Sequence, residues 1–166
     1  DGIGKEVMPE GLRVLESAAG RFGIDLQFKH IDWASCDYYA KTGQMMPDDW
    51  KAQLEGMDAV YFGAVGWPAT VPDHVSLWGL LIPIRRSFDQ YVNMRPVRLL
   101  PGIKSPLAGR TAQDIDFVIV RESTEGLFHA RGRGRIEGVG DAQAAYDTMK
   151  ITRSGTARVC DFALRL

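Results

Sequence analysis

Three arginines at the ends of predicted secondary-structure elements carry the clearest chemical information in this chain. Arg85, Arg95 and Arg121 are separated by the end of a helix, a proline turn and a strand. The planar guanidinium group binds a carboxylate through two parallel hydrogen bonds, so arginine is well suited to small polyanions. If the three side chains converge, they can hold a small dicarboxylic acid. The sequence therefore predicts an enzyme that acts on such an acid.

Each arginine taken alone has a simpler interpretation. Arg85 and Arg86 are cations near the negative end of a helix, where they would be solvated and interact with the helix dipole. Arg95 has a more specific context, because Pro96 restricts the backbone of the residue before it. Arg121 directly follows an apolar strand, and ligands of open α/β sheets gather at the carboxyl ends of strands. The prediction therefore depends on the three arginines acting together.

The elements that must position these arginines alternate between helix and strand. Apolar residues recur at helical spacing over residues 8–22, and apolar and polar residues alternate over 24–29, as in a strand. A second helix is predicted to begin at residues 47–49, and residues 58–62 form a short apolar strand. A third helix is predicted over residues 77–88, interrupted or started late by its proline.

The second half of the chain is predicted to be extended before it ends in a helix. Residues 92–100 are extended, and residues 115–120 form a strand apolar enough to be buried on both faces. The stretch 130–140, rich in glycine and arginine, indicates a turn or an arm. Ser154 is predicted to cap the last helix. This alternation of strands and helices predicts an α/β fold.

Composition describes an ordinary globular chain. Of 166 residues, 45% are hydrophobic and 25% charged, with 20 basic and 21 acidic side chains. Because the charges nearly balance, the net charge would not attract nucleic acid or an anionic membrane. No apolar run approaches membrane-spanning length. Cys36 and Cys160 are too few and too far apart for a disulfide framework or zinc site, which favours a cytoplasmic location. The chain starts without methionine and ends within a predicted helix, so we expect it to be a piece of a longer protein.

Three further segments have open interpretations. Residues 1–4 and 63–66 contain glycines that would let a ligand approach the backbone, but taken alone an ordinary turn is the favoured interpretation. They lack the third glycine and the later acid of the dinucleotide-binding fingerprint. Residues 131–135 suggest contact with RNA, yet without interleaved aromatic residues an exposed hairpin tip is favoured.

Together these segments resemble the β-decarboxylating dehydrogenases, which include isopropylmalate, isocitrate, homoisocitrate, tartrate and D-malate dehydrogenases. The resemblance covers essentially the whole chain. The matching residues are 1–4, 63–66, Leu81 with Arg85, 93–96, 120–122 and 124–126. The segments most similar to the tartrate and D-malate branch are 32–39, 46–50, 63–68, 71–74 and 76–79.

The resemblance implies an isopropylmalate/isocitrate dehydrogenase-like fold of two domains with a central cleft, truncated here at both ends. Residues 1–91 would be part of the large NAD-binding domain, with a boundary near Tyr91. Residues 92–166 would be part of the substrate and dimerisation domain, with a dimer arm within 128–146. The protein would work as a homodimer, with neither nucleic acid nor membrane among its partners.

The resemblance also implies NAD-dependent oxidation of a (2R)-hydroxy acid, usually followed by loss of the carboxylate β to the new ketone. Arg85, Arg95 and Arg121 would hold the substrate carboxylates. Mg²⁺ or Mn²⁺ would polarise the hydroxyl and then the ketone. The metal ligands and the catalytic lysine would lie beyond Leu166, so no metal site is expected within this chain. The residues that would lie along the nicotinamide half of NAD are Ile3, Ala64, Val65, Trp78 and Leu81.

Two positions depart from the family pattern. Phe128 stands where the family usually has a tyrosine that protonates the enol carbon, and phenylalanine has no proton to donate. We expect oxidation to survive in the intact enzyme, with protonation left to water or another group. Trp78 replaces an acid of the isopropylmalate branch and favours D-malate or tartrate, whereas apolar residues 80–84 favour an alkylated acid such as 3-isopropylmalate. The alternative is a non-catalytic dimerising or anion-binding homologue that has lost the chemistry.

Overall fold

The computed structural model describes residues 1–129 and 134–166, and it separates the chain into two units. Unit 1 is Asp1–Ile84 and unit 2 is Arg85–Leu166. The division falls earlier in the sequence than the predicted boundary near Tyr91. The assignment of the two parts to NAD binding and to dimerisation remains a prediction. Within the described residues, no helix is both long enough and apolar enough to cross a membrane.

Unit 1 begins with its longest helix, α1, which spans Gly4–Phe22. Its predicted apolar stripe turns inward for most of its length, although Phe22 at its end is 70% exposed. Gly23 ends the helix in the left-handed conformation, and its N–H donates to the carbonyl of Ala19. The stripe residues that are buried or half-buried are Met8, Leu12, Leu15 and Ala19.

Two short helices follow. Helix α2, Cys36–Thr42, is not indicated by any apolar periodicity. It forms because the Ser35 hydroxyl accepts a hydrogen bond from the Tyr38 N–H and caps its first turn. Helix α3, Trp50–Leu54, begins after the acidic pair as predicted. The buried apolar side chains of unit 1 are Ala19, Trp33, Cys36, Met45, Met46, Leu54, Val71, Leu80, Ile82 and Ile84.

The predicted strands over 24–29 and 58–62 do not form, although unit 1 is described in full. Ile24 is 53% exposed, Phe28 40% and Tyr61 50%. A strand exists only when a neighbouring strand pairs with its backbone groups. Alternating residues predict which face would be apolar, but they do not supply that neighbour. Both segments are therefore irregular here.

The third predicted helix starts earlier than expected and continues through its proline. It consists of α4, Asp73–Ser76, a π-helical segment, Leu77–Leu81, and α5, Ile82–Ser87. The Ile82 N–H donates to the carbonyl of Leu77, five residues back, instead of following the α-helical pattern. This change of register immediately precedes Pro83, which has no N–H to donate.

In unit 2, strands β1, Val92–Arg98, and β2, Asp116–Glu122, pair antiparallel. Both strands are predicted by the sequence, but burial of β2 on both faces is wrong. Phe117 is 48% exposed and Ile119 47%. Helix α6, Arg153–Leu164, packs against β2, and only the last residues of the strand are half-buried.

A small hairpin lies within the predicted dimer arm. Strands β3, Arg135–Glu137, and β4, Ala144–Tyr146, pair antiparallel, and short 3₁₀ turns span Leu127–His129 and Gly140–Ala142. Residues 130–133, which include part of the suggested RNA-binding run, lie outside the described residues. The role of this arm in dimerisation remains a prediction.

The cap of helix α6 is not the predicted residue. Ser154 lies inside the first turn, and Thr152 precedes it as the cap. The Thr152 hydroxyl accepts a hydrogen bond from the Gly155 N–H at 3.0 Å. A capping side chain must reach the N–H groups two or three residues ahead, and Thr152 has that geometry.

Candidate active site

The pairing of β1 with β2 places two of the predicted arginines on one face of the sheet. Asn93 is opposite Arg121, and Arg95 lies two positions further along β1. Side chains two positions apart on a strand share a face. The Arg95 Nε donates to the Asn93 Oδ1 at 2.9 Å, as side chains on a shared face can. Arg95 and Arg121 are thus diagonal neighbours, typically about 7–8 Å apart.

Arg85 joins this pair from the last turn of α5. Burial lowers the pKa of Arg85, and the positive charges of Arg121 and Arg95 lower it further. Like charges disfavour ionisation only when they are close. Arg85, Arg95 and Arg121 therefore gather in one region of unit 2, and we call them the arginine cluster. Their binding of substrate carboxylates remains a prediction.

Within the part of the chain that the structure describes, the arginine cluster has no acidic counterpart. Across residues 1–129 and 134–166, none of its members forms an ion pair with an aspartate or glutamate. Glu122 follows Arg121 directly, yet its carboxylate accepts hydrogen bonds from the backbone N–H groups of Thr124 and Glu125. The cluster therefore concentrates positive charge that an anionic ligand would neutralise.

Arg121 has the most constrained environment of the three. Its Nε is buried and has no hydrogen-bond partner among the described residues. A buried donor without a partner costs free energy, so such groups usually serve a ligand or a bound water. The Arg121 Cζ lies 5.7 Å from the centroid of the Phe128 ring. At that distance the ring face attracts the cation.

Phe128, the residue at the predicted tyrosine position, lies beside the arginine cluster. It belongs to the 3₁₀ turn Leu127–His129 and is half-buried. Its carbonyl accepts a hydrogen bond from the Arg86 Nη2. The ring therefore contacts Arg121 with an apolar surface and presents no group able to exchange a proton.

In unit 1, the start of α1 lies against the glycine loop 63–66. The backbone nitrogen of Asp1 donates to the carbonyl of Ala64 at 2.8 Å. The Asp1 carboxylate accepts from the N–H groups of Gly66 and Cys36, both at 3.0 Å. A Cβ on Gly4 would lie 2.9 Å from the Ala64 nitrogen, so only glycine allows this approach.

The predicted cofactor residues lie on this loop and on its neighbours. Ile3 at the start of α1 is 61% exposed, and Val65 is half-buried. Trp78 and Leu81 lie in the π-helical segment and are half-buried. A Cβ on Gly66 would lie 3.9 Å from the hydroxyl that precedes this segment, at Ser76. Ile3, Ala64 and Val65 are thus brought together, but their contact with NAD remains a prediction.

The described residues contain no group of three or more His, Cys, Asp or Glu side chains placed to hold a metal ion. They therefore supply no candidate for the predicted Mg²⁺ or Mn²⁺ site. The expectation that its ligands lie elsewhere in the protein remains a prediction.

Two residues organise these regions although neither was singled out individually from the sequence. Asp1 ties the start of α1 to the glycine loop and to α2, and Arg158 links three elements of unit 2. Neither belongs to a periodic pattern, and their partners lie far away in sequence. For Asp1, the only local hint is its place before two glycines.

Known proteins are similar to this chain over its whole length. The family model described as isocitrate/isopropylmalate dehydrogenase matches residues 1–166. The chain is 55% identical over 166 residues to the D-malate dehydrogenase [decarboxylating] of Escherichia coli (strain K12), covering 100% of this chain and 46% of that protein. It is 54% identical over 166 residues to a tartrate dehydrogenase/decarboxylase of Pseudomonas putida, covering 100% of this chain and 45% of that protein.

A solved structure is also similar. The crystal structure of a β-decarboxylating dehydrogenase from Thermococcus kodakarensis, in its apo form, matches with a TM-score of 0.59 and 28% sequence identity. The match covers 99% of this chain and 42% of that one. The chain thus spans just under half the length of the curated relatives it matches.

Proposed function

Because the chain belongs to the isocitrate/isopropylmalate dehydrogenase family, we propose that the intact protein oxidises a small (2R)-hydroxy dicarboxylic acid and releases the carboxylate β to the new ketone. D-malate and tartrate are the preferred substrates, and 3-isopropylmalate is the bulkier alternative. Family membership and the fold agree with the sequence prediction. The observation that carries the proposal is the arginine cluster, which gathers three cations with no acidic partner among the described residues.

The arginine cluster would bind the two substrate carboxylates. Burying Arg85 and placing it beside two other cations is costly, as its lowered pKa indicates. A doubly negative ligand offsets this cost, and each guanidinium can make two charge-assisted hydrogen bonds to a carboxylate. The buried Nε of Arg121 adds a donor that lacks an acceptor within the described residues. The cluster would therefore both bind the acid and orient its hydroxyl-bearing carbon.

NAD would bind to unit 1 through Ile3, Ala64, Val65, Trp78 and Leu81. The close approach of Gly4 to Ala64 supports this part of the proposal, because it brings Ile3 beside the loop that carries Ala64 and Val65. A bound Mg²⁺ or Mn²⁺ would polarise the substrate hydroxyl. No ligand set for it is found among the described residues, so none of them is assigned to the metal.

Phe128 shapes the last stage of the proposed reaction. Loss of CO₂ leaves an enol that must gain a proton at carbon. Phe128 has no hydroxyl to provide that proton, so water or another group supplies it. General acid assistance contributes about 10²- to 10⁴-fold to such steps. Protonation is therefore the step most affected by this residue.

The assembly proposed for the intact protein is a cytoplasmic homodimer. The hairpin of unit 2 supports dimerisation, because Ile136 is 69% exposed and Val139 is 87% exposed. Large apolar side chains exposed together often mark an interaction surface.

A second candidate function is that of a non-catalytic homologue that binds anions. The observation that favours it is Phe128, because the residue beside Arg121 cannot act as an acid. Such a protein would bind a dicarboxylate through the arginine cluster without oxidising it.

One assay separates the two candidates. The intact protein is incubated with Mn²⁺ and NAD and with D-malate, tartrate or 3-isopropylmalate, while NADH absorbance and evolved CO₂ are followed. The proposal predicts NADH formation with at least one of the two smaller acids. Binding of an acid by titration calorimetry without NADH would support the non-catalytic homologue. If the protein neither binds nor turns over any of the three acids, both candidate functions are contradicted.

A further inference from the structure

Arg158, in the middle of α6, reaches two loops that flank the arginine cluster. Its Nη1 donates to the Asp89 Oδ2 at 2.7 Å, and its Nη2 donates to the Thr124 Oγ1 at 3.0 Å. The guanidinium Cζ lies 4.3 Å from the centroid of the Tyr91 ring. One side chain thus connects α6 to the turn before β1 and to the loop after β2. All of these residues belong to unit 2.

The turn before β1 depends on an unusual backbone conformation at Asp89. Its φ of 44° lies in the left-handed region, which residues other than glycine rarely adopt. Next to it, the Gln90 N–H donates to the carbonyl of Arg85 at 2.8 Å. Such a conformation persists only where neighbouring contacts hold it. The ion pair between Asp89 and Arg158 is such a contact, so Arg158 controls how the chain leaves Arg85.

The loop after β2 is held at the same point. The Ser123 N–H donates to the carbonyl of Tyr91 at 3.0 Å, which joins this loop to the turn before β1. Thr124, which accepts from Arg158, also donates its backbone N–H to the Glu122 carboxylate at 2.8 Å. The segment that directly follows Arg121 is therefore fixed by the same guanidinium that fixes the turn after Arg85.

The charge of Arg158 is already neutralised, unlike that of the arginine cluster. Its hydrogen bond to Asp89 is the main reason that the pKa of Arg158 is raised, with Glu122 and Glu125 adding to the effect. Its Nη2 lies 4.0 Å from a Glu122 oxygen. Both terminal nitrogens of Arg158 thus donate to protein acceptors, although its Nε, like that of Arg121, is buried without a hydrogen-bond partner among the described residues. The position of Arg158 favours a role in the framework around the site.

We propose that Arg158 is a positioning residue that holds Arg85 and Arg121 at the separation required by the two carboxylates of a dicarboxylic acid. This inference rests on the proposed function. Arg158 does not touch the substrate but acts through Asp89 and Thr124. Small displacements of binding groups are costly, because misplacement by about 1 Å can reduce turnover by roughly 10²-fold.

The test compares Arg158→Gln and Arg158→Lys with Arg165→Gln in the intact protein. Arg165 lies just after the same helix, but its side chain is 81% exposed and it pairs only with Asp161, at 3.3 Å, among the described residues. Arg158→Gln should raise the KM for the dicarboxylic acid by roughly 10- to 100-fold. Arg158→Lys keeps the charge opposite Asp89, but its single ammonium group cannot bind both Asp89 and Thr124 as the guanidinium does. It should therefore recover part of the loss. Arg165→Gln should behave like wild type.

Three readouts separate positioning from general stability. The KM for NAD should be unchanged in Arg158→Gln. A hydroxy acid with a single carboxylate should be affected far less than the dicarboxylic acid, because one carboxylate imposes no separation. Equal losses with both kinds of acid, or a lower Tm with unchanged KM values, would overturn the proposal.

A crystal structure of Arg158→Gln gives a readout independent of activity. The expected result is a changed separation of the Arg85 and Arg121 guanidinium groups, together with a changed conformation at Asp89. An unaltered separation would refute the positioning role even if the wild type turned over no acid. Failure of wild-type turnover and binding would instead contradict the proposed function.

Discussion

Unit 2 contains two arginine environments that differ in their counter-charges. The arginine cluster has no acidic partner among the described residues, and burial together with mutual repulsion lowers the pKa of Arg85. Arg158 pairs with Asp89 at 2.7 Å, and this contact raises its pKa. The same side chain therefore serves two purposes. An arginine that pairs with an acidic side chain, such as Arg158, holds elements together. An arginine without such a partner, as in the arginine cluster, is available to an anionic ligand.

The largest expected effect comes from removing one guanidinium of the arginine cluster. Arg121→Gln should reduce kcat/KM for D-malate or tartrate by about 10²- to 10³-fold, because a charged hydrogen-bonding partner of the substrate is lost. Steady-state kinetics of the intact protein measures the change. Arg98→Gln is the matched control, since Arg98 lies on β1 but is mainly exposed and faces Asp116 at 3.7 Å. A similar loss in both variants would remove the distinction between the two environments.

Adding a proton donor beside the cluster should have the next largest effect. Phe128→Tyr places a hydroxyl on the ring that contacts Arg121. Product formation after oxidation should accelerate, by up to about 10²-fold if protonation limits turnover. The measurement is the ratio of protonated 2-oxo acid to NADH formed, together with kcat, because NADH and CO₂ are both released before the enol gains its proton. Phe162→Tyr on α6 is the control, and an unchanged ratio and kcat in Phe128→Tyr would count against the assigned role.

A change in helix α6, which carries Arg158, should affect stability and not catalysis. Thr152→Ala should lower the free energy of unfolding by about 1 kcal/mol, because the cap of α6 is lost. Urea denaturation measures this change. Ser154→Ala, at the cap position predicted from the sequence, should have almost no effect. Should Ser154→Ala be the more damaging change, the placement of the cap at Thr152 would be wrong.

The smallest expected effect is a pH dependence at Glu125. Hydrogen bonds from the Thr152 hydroxyl and N–H lower the pKa of Glu125 from 4.5. A carboxyl whose folded-state pKa is depressed stabilises the fold above its unfolded-state pKa. That contribution is lost as the pH falls through the folded-state pKa. Glu125→Gln should therefore flatten the decline of Tm below about pH 4.5. Parallel Tm profiles for both proteins would contradict this.

Local patterns accounted for part of the fold. The stripe on α1, strands β1 and β2 and the start of α3 follow from spacing and residue type. The segments 24–29 and 58–62 have an equally regular pattern, but they form no strand. The difference lies in pairing, because β1 and β2 meet each other, whereas the two segments of unit 1 meet no strand within that unit.

The candidate site, too, could be predicted only in part from the sequence. Residue types alone identified Arg85, Arg95 and Arg121 as candidates, because guanidinium chemistry is a property of the side chain. The register Asn93–Arg121 then decided that two of them share a face. Arg158 could not be selected beforehand, since nothing in the residues around it indicates contacts with Asp89 and Thr124.

The order of residues thus specified the family, some of the helical and extended segments and the chemistry that the arginines can perform. Folding decided which charges remain unpaired. Whether a guanidinium meets an acid depends on contacts between residues far apart in the chain, such as Asp89 and Arg158. Those contacts arise only when helices and strands pack, because electrostatic and hydrogen-bonding interactions act over a few ångströms.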